Sequence, residues 1–118
     1  MGNLLRSAPI FPVADLRAAM DHYRRLGFTA REYEGGGYGY VNRGPVEIHL
    51  TEVRGLEPRG VRNQVYLWVE DADALAHEWE SAGVKVSRPR DTDWGQHEGW
   101  HQDPDCNLIR FGSPAGAT

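Results

Sequence analysis

The sequence carries the same structural pattern twice, and this repetition restricts the possible folds more than any other feature. Residues 13–28 (VADLRAAMDHYRRLGF) align with residues 69–84 (VEDADALAHEWESAGV) at an offset of 56 positions. Identical residues at matching positions include Val13 and Val69, Asp15 and Asp71, and Gly27 and Gly83. Both segments place apolar residues at the i, i+3, i+4 and i+7 spacing of one helical face. Because an Asp precedes and a Gly follows each segment, each half predicts a capped amphipathic helix.

Strands are predicted around both helices. The extended runs are FTAREYE, YGYVN and VEIHLTE in the first half, and VKVSRPRD, GWHQ and NLIRFG in the second, with turns rich in Gly, Pro and Asp between them. The sequence therefore predicts an α+β fold in one domain, residues 1–118. Two tandem βαβββ modules lie at about residues 7–52 and 63–112, joined by a linker at 53–62.

Each predicted sheet has a helix on one face only, so its other face must be covered by something else. A curved mixed sheet around a shared cleft would cover both open faces within one chain. Exchange of modules between two chains would cover them in a homodimer. Either arrangement creates a concave surface, which is the usual location of a ligand site.

Composition and charge narrow the classes of partner. The 17 acidic residues against 13 Lys and Arg give a net charge of −4, which argues against nucleic-acid binding and is compatible with a cationic small ligand. No apolar run reaches the ~18–20 residues of a membrane-spanning helix, and the N-terminal segment lacks the pattern of a secretory signal. We therefore expect a cytoplasmic protein with no membrane partner. The single cysteine, Cys106, cannot form an internal disulfide.

Aromatic residues outside the helices are the strongest candidates for ligand contacts. Tyr66 and Trp68 lie two apart on a predicted strand and therefore share a face. Trp94 follows the polar run DTD, where an indole is difficult to explain as core, and Trp100 lies on the next strand. We expect these rings to face the cleft or an interface. For Tyr66 and Trp68, packing within the core between the sheets is the alternative.

Two longer motifs carry a family resemblance. The segments FPVADLRAAMDHYRRLGF and DPDCNLIRFG resemble the vicinal oxygen chelate superfamily, which includes glyoxalase I, extradiol dioxygenases, fosfomycin-resistance enzymes and bleomycin-resistance proteins. The resemblance covers about residues 7–112, and the segments VYLWVED, WG and NLIRFG are most similar to the bleomycin-resistance branch. The family's turn is usually DPDGN. Because Cys106 replaces its glycine, we expect a positive φ at a non-glycine residue.

The resemblance also implies where a metal ion would bind. Enzymes of the superfamily take ligands from one inward-facing position on the first and last strand of each module, and these positions here are Ala8, His49, Gln64 and Arg110. Only His49 is a good ligand, because Ala has no donor atom, an amide is a poor ligand and an arginine is a permanent cation. No metal or other cofactor is therefore expected.

A metal site rebuilt from His49, His97, Glu98 and His101 is an alternative. His97 and His101 share one face of a straight strand, whereas Glu98 and Trp100 share the other. If Trp100 lines the cleft, both histidines face away from it. The histidines that we interpret as surface residues are His22, His77 and His97.

The resemblance implies a binding mode for a planar drug. In bleomycin-resistance proteins the tryptophan of the WG motif and an aromatic residue before the third strand sandwich the drug, and their counterparts here are Trp94 and Tyr38. Trp100 replaces a smaller residue and should narrow the groove. The acidic residues expected to attract a cationic part of the ligand are Glu47, Asp91 and Asp93. The complete set of expected ligand-binding residues is Trp94, Tyr38, Trp100, Trp68, Tyr66, His49, Glu47 and Arg110.

The leading functional hypothesis is non-catalytic sequestration of a bleomycin-like or other large aromatic antibiotic by a homodimer with two sites. No catalytic residue is predicted, since Cys106 has no histidine base at a corresponding position. Two alternatives stay open. One is a metal-dependent lyase, isomerase or dioxygenase with relocated ligands. The other is a binding module for a different small molecule, or a metal-free enzyme.

Overall fold

The chain folds into two βαβββ modules. The structure, a computed structural model, describes residues 1–60 and 63–116, so Val61 and Arg62 of the predicted linker lie outside the described residues. The first module consists of β1 (Ile10–Val13), α1 (Leu16–Arg25), β2 (Thr29–Glu32), β3 (Tyr38–Arg43) and β4 (Val46–Glu52). After a short 3₁₀ helix at Pro58–Gly60, the second module consists of β5 (Gln64–Trp68), α2 (Ala72–Ser81), β6 (Arg90–Asp91), β7 (Gln96–Gln102) and β8 (Leu108–Pro114).

Each module forms its own four-stranded mixed sheet. The strand orders are β1-β4-β3-β2 and β5-β8-β7-β6. In both sheets the first strand pairs with the last strand of the module in parallel, and the remaining pairs are antiparallel. The predicted α+β class and the tandem βαβββ order are therefore confirmed. Among the described residues, no helix has the length and apolarity needed to cross a membrane.

The helices begin and end at the residues that the duplicated pattern predicts. The carboxylate of Asp15 accepts from the Ala18 amide at 3.1 Å, and that of Asp71 accepts from the Ala74 amide at 3.0 Å. Each cap of this kind stabilises a helix by about 1 kcal/mol. Gly27, just after α1, has a φ of 90°, a value that side-chain-bearing residues rarely adopt.

The two modules share one apolar core between their helices and the inner faces of their sheets. Trp79 of α2 is buried against Phe111 of β8 at a ring-centroid distance of 5.3 Å, and its indole N–H donates to the Leu26 carbonyl of the first module at 3.0 Å. The largest fully buried side chains, drawn from both modules, include Tyr23, Phe11, Phe111, Leu26, Ile48 and Ile109.

A buried carboxylate joins the turn of the second module to α1. The Tyr23 hydroxyl donates to Asp103 at 2.8 Å, and the Asn107 amide side chain donates both to Asp103 and to the Pro12 carbonyl, each at 3.0 Å. Cys106, in the same turn, has a φ of 68°. The expected left-handed conformation at a non-glycine residue is confirmed.

A histidine pair forms a second contact between the modules. The Nε2 atoms of His22 and His101 are 2.8 Å apart, and Nδ1 of His101 lies 2.6 Å from the Lys85 carbonyl. Because a carbonyl only accepts, Nδ1 of His101 carries a proton, and His22 donates to the free Nε2. The interpretation of His22 as a surface residue was wrong: burial, the neighbouring His101 and Arg25 lower its pKa to about 4.

Three predicted strands are shorter than the sequence pattern indicates. The run FTAREYE forms strand only at Thr29–Glu32. The run VKVSRPRD forms regular strand only at Arg90–Asp91, because Pro89 has no N–H for the ladder. β1 begins at Ile10, so Ala8 precedes the strand on which it was expected.

Candidate functional site

Glu98 organises the open face of the second sheet. Its Oε2 accepts hydrogen bonds from the Trp94 indole and from the Tyr66 hydroxyl, both at 2.8 Å, and its Oε1 accepts from the Arg110 guanidinium at 3.1 Å. Glu98 and Trp100 lie on this open face. Gly99 and His101, which alternate with them along β7, are buried on the other side. The pattern follows from the alternation of a β-strand.

The electrostatics of this cluster keep Glu98 ionised. Burial opposes its charge, but the hydrogen bonds from Trp94, Tyr66 and Arg110 together lower the pKa of the carboxyl below its ordinary value. Burial, followed by the Glu98 hydrogen bond and charge, raises the pKa of Tyr66 to about 12. The Trp94 N–H is therefore engaged with Glu98, and only the faces and edge of the indole remain for a ligand.

Gly112 makes room for this cluster. It lies opposite Glu98 in the sheet, and a Cβ at this position would come within 2.2 Å of the Tyr66 hydroxyl. A side chain at residue 112 would therefore displace Tyr66 from Glu98.

Two exposed tryptophans border a groove on this face. The groove has a volume of about 640 Å³. Trp94 is 64% exposed and Trp100 is 53% exposed. The backbone under Trp100 is fixed, because its amide donates to the Ser87 hydroxyl at 2.8 Å. An exposed indole on a fixed backbone is suited to stacking against a planar ligand.

Trp68 is separate from that groove. Its side chain is 77% exposed and packs edge-to-face on Tyr66 at 4.9 Å between centroids. It borders a different groove of about 320 Å³, between α2 and the first module, with Phe28 and Arg43. Among the described residues, Trp68 is connected to the Glu98 cluster through Tyr66.

The open face of the first sheet carries a hydrogen-bonded chain. The Tyr38 hydroxyl lies 2.8 Å from Nδ1 of His49, whose Nε2 is hydrogen-bonded to Glu47. Glu47 also accepts from Arg6 at 3.1 Å. The Tyr40 ring packs against His49 at 4.9 Å. The hydrogen bond from His49 and the nearby Arg6 lower the pKa of Glu47, against its partial burial.

Tyr38 and Trp94 lie on the open faces of different sheets. In the described parts of the chain, no hydrogen bond, ring contact or groove includes both residues. One chain alone therefore does not bring together the two rings of the expected sandwich.

The residues at the positions from which enzymes of the superfamily bind a metal ion are not suited to binding one here. His49 uses both ring nitrogens for Tyr38 and Glu47, and the Arg110 guanidinium is committed to Glu98. Ala8 offers no donor atom. His97 and His101 point to the helix side of their strand, away from Trp100, as the alternation predicts. In residues 1–60 and 63–116, no group of three His, Cys, Asp or Glu side chains could hold a metal ion.

Asp91 contributes to the lining of the groove, but its carboxylate is engaged by a histidine. Its carboxylate lies 2.8 Å from Nδ1 of His97, on the face of the sheet that carries α2, and Asp73 lies 2.9 Å from Nε2 of the same ring. These two carboxylates raise the pKa of His97. Asp91 pairs with His97 in the sheet, so its side chain alternates away from the open face.

Two arginines of the groove escaped prediction. Arg88 and Arg90 both line it beside Trp94 and Trp100. Their signal in the sequence is the alternation R-P-R, which places both side chains on one face, but the interrupted strand hid that face.

The chain matches the Glyoxalase/Bleomycin resistance protein/Dioxygenase superfamily over residues 7–111, and it belongs to that family. The resemblance inferred from the sequence motifs is thereby confirmed. No curated protein sequence matches the chain.

Solved structures include three similar proteins that bind bleomycin or confer resistance to it. A bleomycin resistance determinant encoded on the transposon Tn5 has a TM-score of 0.86 at 22% identity, covering 95% of this chain and 99% of that chain. A bleomycin-binding protein complexed with bleomycin has a TM-score of 0.83 at 22% identity, covering 93% and 98%. A bleomycin-binding protein from bleomycin-producing Streptomyces verticillus, complexed with copper(II)-bleomycin, has a TM-score of 0.78 at 22% identity, covering 96% and 98%. At this identity the likeness establishes the fold.

Proposed function

We propose that the protein is a non-catalytic cytoplasmic binder that sequesters a bleomycin-like or other large aromatic natural product and so confers resistance to it. The observation that carries this proposal is the Trp94 indole, which is largely exposed yet held in place by Glu98. A rigid aromatic surface of this kind binds planar molecules at a low cost in side-chain entropy. Stacking between aromatic rings contributes about 0.5–1.5 kcal/mol per pair beyond the area that it buries.

The proposed active form is a homodimer. The accessible surface is 7945 Å², whereas a compact monomer of this mass exposes roughly 6,500 Å². The excess is larger than the roughly 800 Å² that each partner buries in a standard interface, although the extended N-terminal residues contribute to it. The radius of gyration, 15.0 Å, likewise exceeds the ~13.5 Å expected for a compact domain of this length.

Module exchange gives each open sheet face a partner. In the proposed dimer, the first sheet of one copy faces the second sheet of the other, so that Tyr38 of one copy lies across the cleft from Trp94 of the other. Two equivalent clefts result from the two-fold symmetry of such a dimer. The same clefts would also be lined by Tyr66, Trp100, His49, Glu47 and Arg110, and Trp68 would lie at their edge.

Substitution of Trp94 tests the proposal. Trp94→Ala should weaken binding of bleomycin by about ten-fold or more, which corresponds to about 1.4 kcal/mol, because it removes one stacking face. Isothermal titration calorimetry measures the affinity, and circular dichroism checks the fold. His77→Ala, which removes an exposed ring from α2, is the matched control. An unchanged affinity in Trp94→Ala would contradict the stacking mechanism.

The metal-dependent alternative makes a different prediction. It requires one tightly bound divalent ion per chain, whereas sequestration by stacking requires none. Mass spectrometry of untagged protein incubated with zinc, nickel, manganese and ferrous iron distinguishes the two. A stoichiometric ion would favour an enzyme built around His49.

A further inference from the structure

Two arginines give the groove beside Trp94 a local positive charge. Arg88 and Arg90 flank the buried Pro89, and both line the groove on the open face of the second sheet. Both are exposed and line the groove together with Trp94 and Trp100. Within the described residues, neither guanidinium has a hydrogen-bond or ion-pair partner.

The other charged side chains along the groove are engaged by partners. Arg110 is paired with Glu98 at 3.1 Å. The Asp91 carboxylate is bound to His97 on the opposite face of the sheet. Asp93 is exposed in the β6–β7 hairpin and does not line the groove. The groove therefore presents two guanidinium groups, Arg88 and Arg90, that have no partner within the described residues.

This local charge opposes the sign of the whole chain. The net charge of −4 favours cationic ligands at long range, but salt at 0.1 M screens interactions between exposed charges beyond about 10 Å. Arg88 and Arg90 line the groove itself, so they act on a bound molecule at short range.

Resting on the function proposed above, we propose that the ligand of this groove is a planar aromatic molecule that carries an anionic group, and that Arg88 and Arg90 bind the anion while Trp94 and Trp100 contact the ring. The anionic group is a carboxylate, sulfonate or phosphate, because the planar guanidinium fork matches their oxygen geometry with two parallel hydrogen bonds. The expectation of a cationic ligand, which came from net charge alone, is replaced for this part of the site.

The first test needs no ligand. In a Trp68→Phe background the exposed tryptophans that remain are Trp94 and Trp100, since Trp79 is buried. Iodide should quench their fluorescence more strongly than caesium at equal ionic strength, because the arginines concentrate the anion. The double substitution Arg88→Gln with Arg90→Gln should remove this preference. Equal quenching, or stronger quenching by caesium, would overturn the proposed charge.

The second test compares three ligands of nearly equal shape: anthracene-2-carboxylate, its uncharged carboxamide and the corresponding 2-aminomethyl cation. Calorimetric titration at low ionic strength should give an affinity for the carboxylate about ten-fold higher than for the cation, because two exposed arginines attract the carboxylate and repel the cation. The double arginine variant should lose affinity for the carboxylate and keep its affinity for the carboxamide.

The outcomes separate this proposal from the proposed function. Tightest binding of the cation, with a loss of affinity in Trp94→Ala, would overturn the anionic ligand and leave aromatic sequestration standing. Binding of the carboxylate that is unaffected by the arginine substitutions would also overturn it. Failure of all three ligands to bind while bleomycin still binds would overturn this proposal alone, and failure of bleomycin to bind as well would contradict both.

Discussion

Replacement of Glu98 by glutamine is expected to destabilise the fold and to loosen the stacking surface at the same time. The Glu98 carboxylate accepts three hydrogen bonds, from Trp94, Tyr66 and Arg110, and its side chain is only 11% exposed. Glutamine keeps one acceptor oxygen, so it cannot satisfy all three donors, and its NH₂ group faces other donors. Hydrogen bonds to a charged group contribute about 1.5–3 kcal/mol against about 1 kcal/mol for neutral pairs. Arg110 is 41% exposed and recovers part of its loss from water.

Taken together, these losses predict a decrease of about 2 kcal/mol in the free energy of unfolding for Glu98→Gln. Urea denaturation measures it, with Glu80→Gln, an exposed change on α2, as the control expected within about 0.5 kcal/mol of the wild type. Because Trp94 loses its anchor, affinity for an uncharged aromatic carboxamide should also fall about three- to ten-fold. If both the stability and the affinity of Glu98→Gln match those of the control, the role of Glu98 as the organising residue is refuted.

Two further predictions concern the junction between the modules. His22 has a pKa of about 4 in the folded protein. The contribution of its neutral ring to the free energy of unfolding is therefore fully present above the unfolded pKa of about 6.5 and is lost as the pH falls. Because solvent screens this half-buried ring, His22 should lower the free energy of unfolding by about 1 kcal/mol at pH 5 relative to pH 7, as measured by urea denaturation. The variant His22→Gln should lose most of this difference in stability between the two pH values. His97, whose raised pKa acts in the opposite direction, is present in both proteins, so its effect cancels when the variant is compared with the wild type. Cys106→Gly should raise the free energy of unfolding by about 0.5–1 kcal/mol, because its φ of 68° strains a residue with a Cβ. Cys106→Ala in the same reducing buffer should not, and equal stability of the two variants would argue against strain.

The elements of the fold that local chemistry determines could be predicted from the sequence. Asp15 and Asp71 cap their helices with their own side chains, and a positive φ at Cys106 follows from its place in a turn that normally contains glycine. These features depend on residues within a few positions of one another. The duplication then extended them to both modules.

The candidate site was predictable only in part, because its arrangement depends on contacts between distant residues. Strand alternation correctly placed Glu98 and Trp100 on one face. It did not indicate that the Trp94 N–H is occupied by Glu98. The strand pairing of Asp91, which turns its carboxylate toward His97, is likewise set by register and not by the local sequence.

The inter-module contacts were hidden for a related reason. His22 lies on α1 at a position that reads as a polar helix face, and only the packing of the second module brings His101 against it. Arg88 and Arg90 were missed because Pro89 interrupts the strand whose alternation would have revealed their common face. In each case the missing information was the relative placement of two elements.

The most direct test of a cleft shared between two chains mixes two defective variants. Trp94→Ala and Tyr38→Ala each damage both clefts of an exchanged homodimer, so each variant alone should bind an aromatic ligand weakly. After unfolding and refolding together, mixed dimers contain one cleft with both rings intact and one cleft with neither. Calorimetric titration of the mixture should recover wild-type affinity at one of the two clefts of each mixed dimer. Binding equal to the average of the two separate variants would show that the cleft is not shared between two chains.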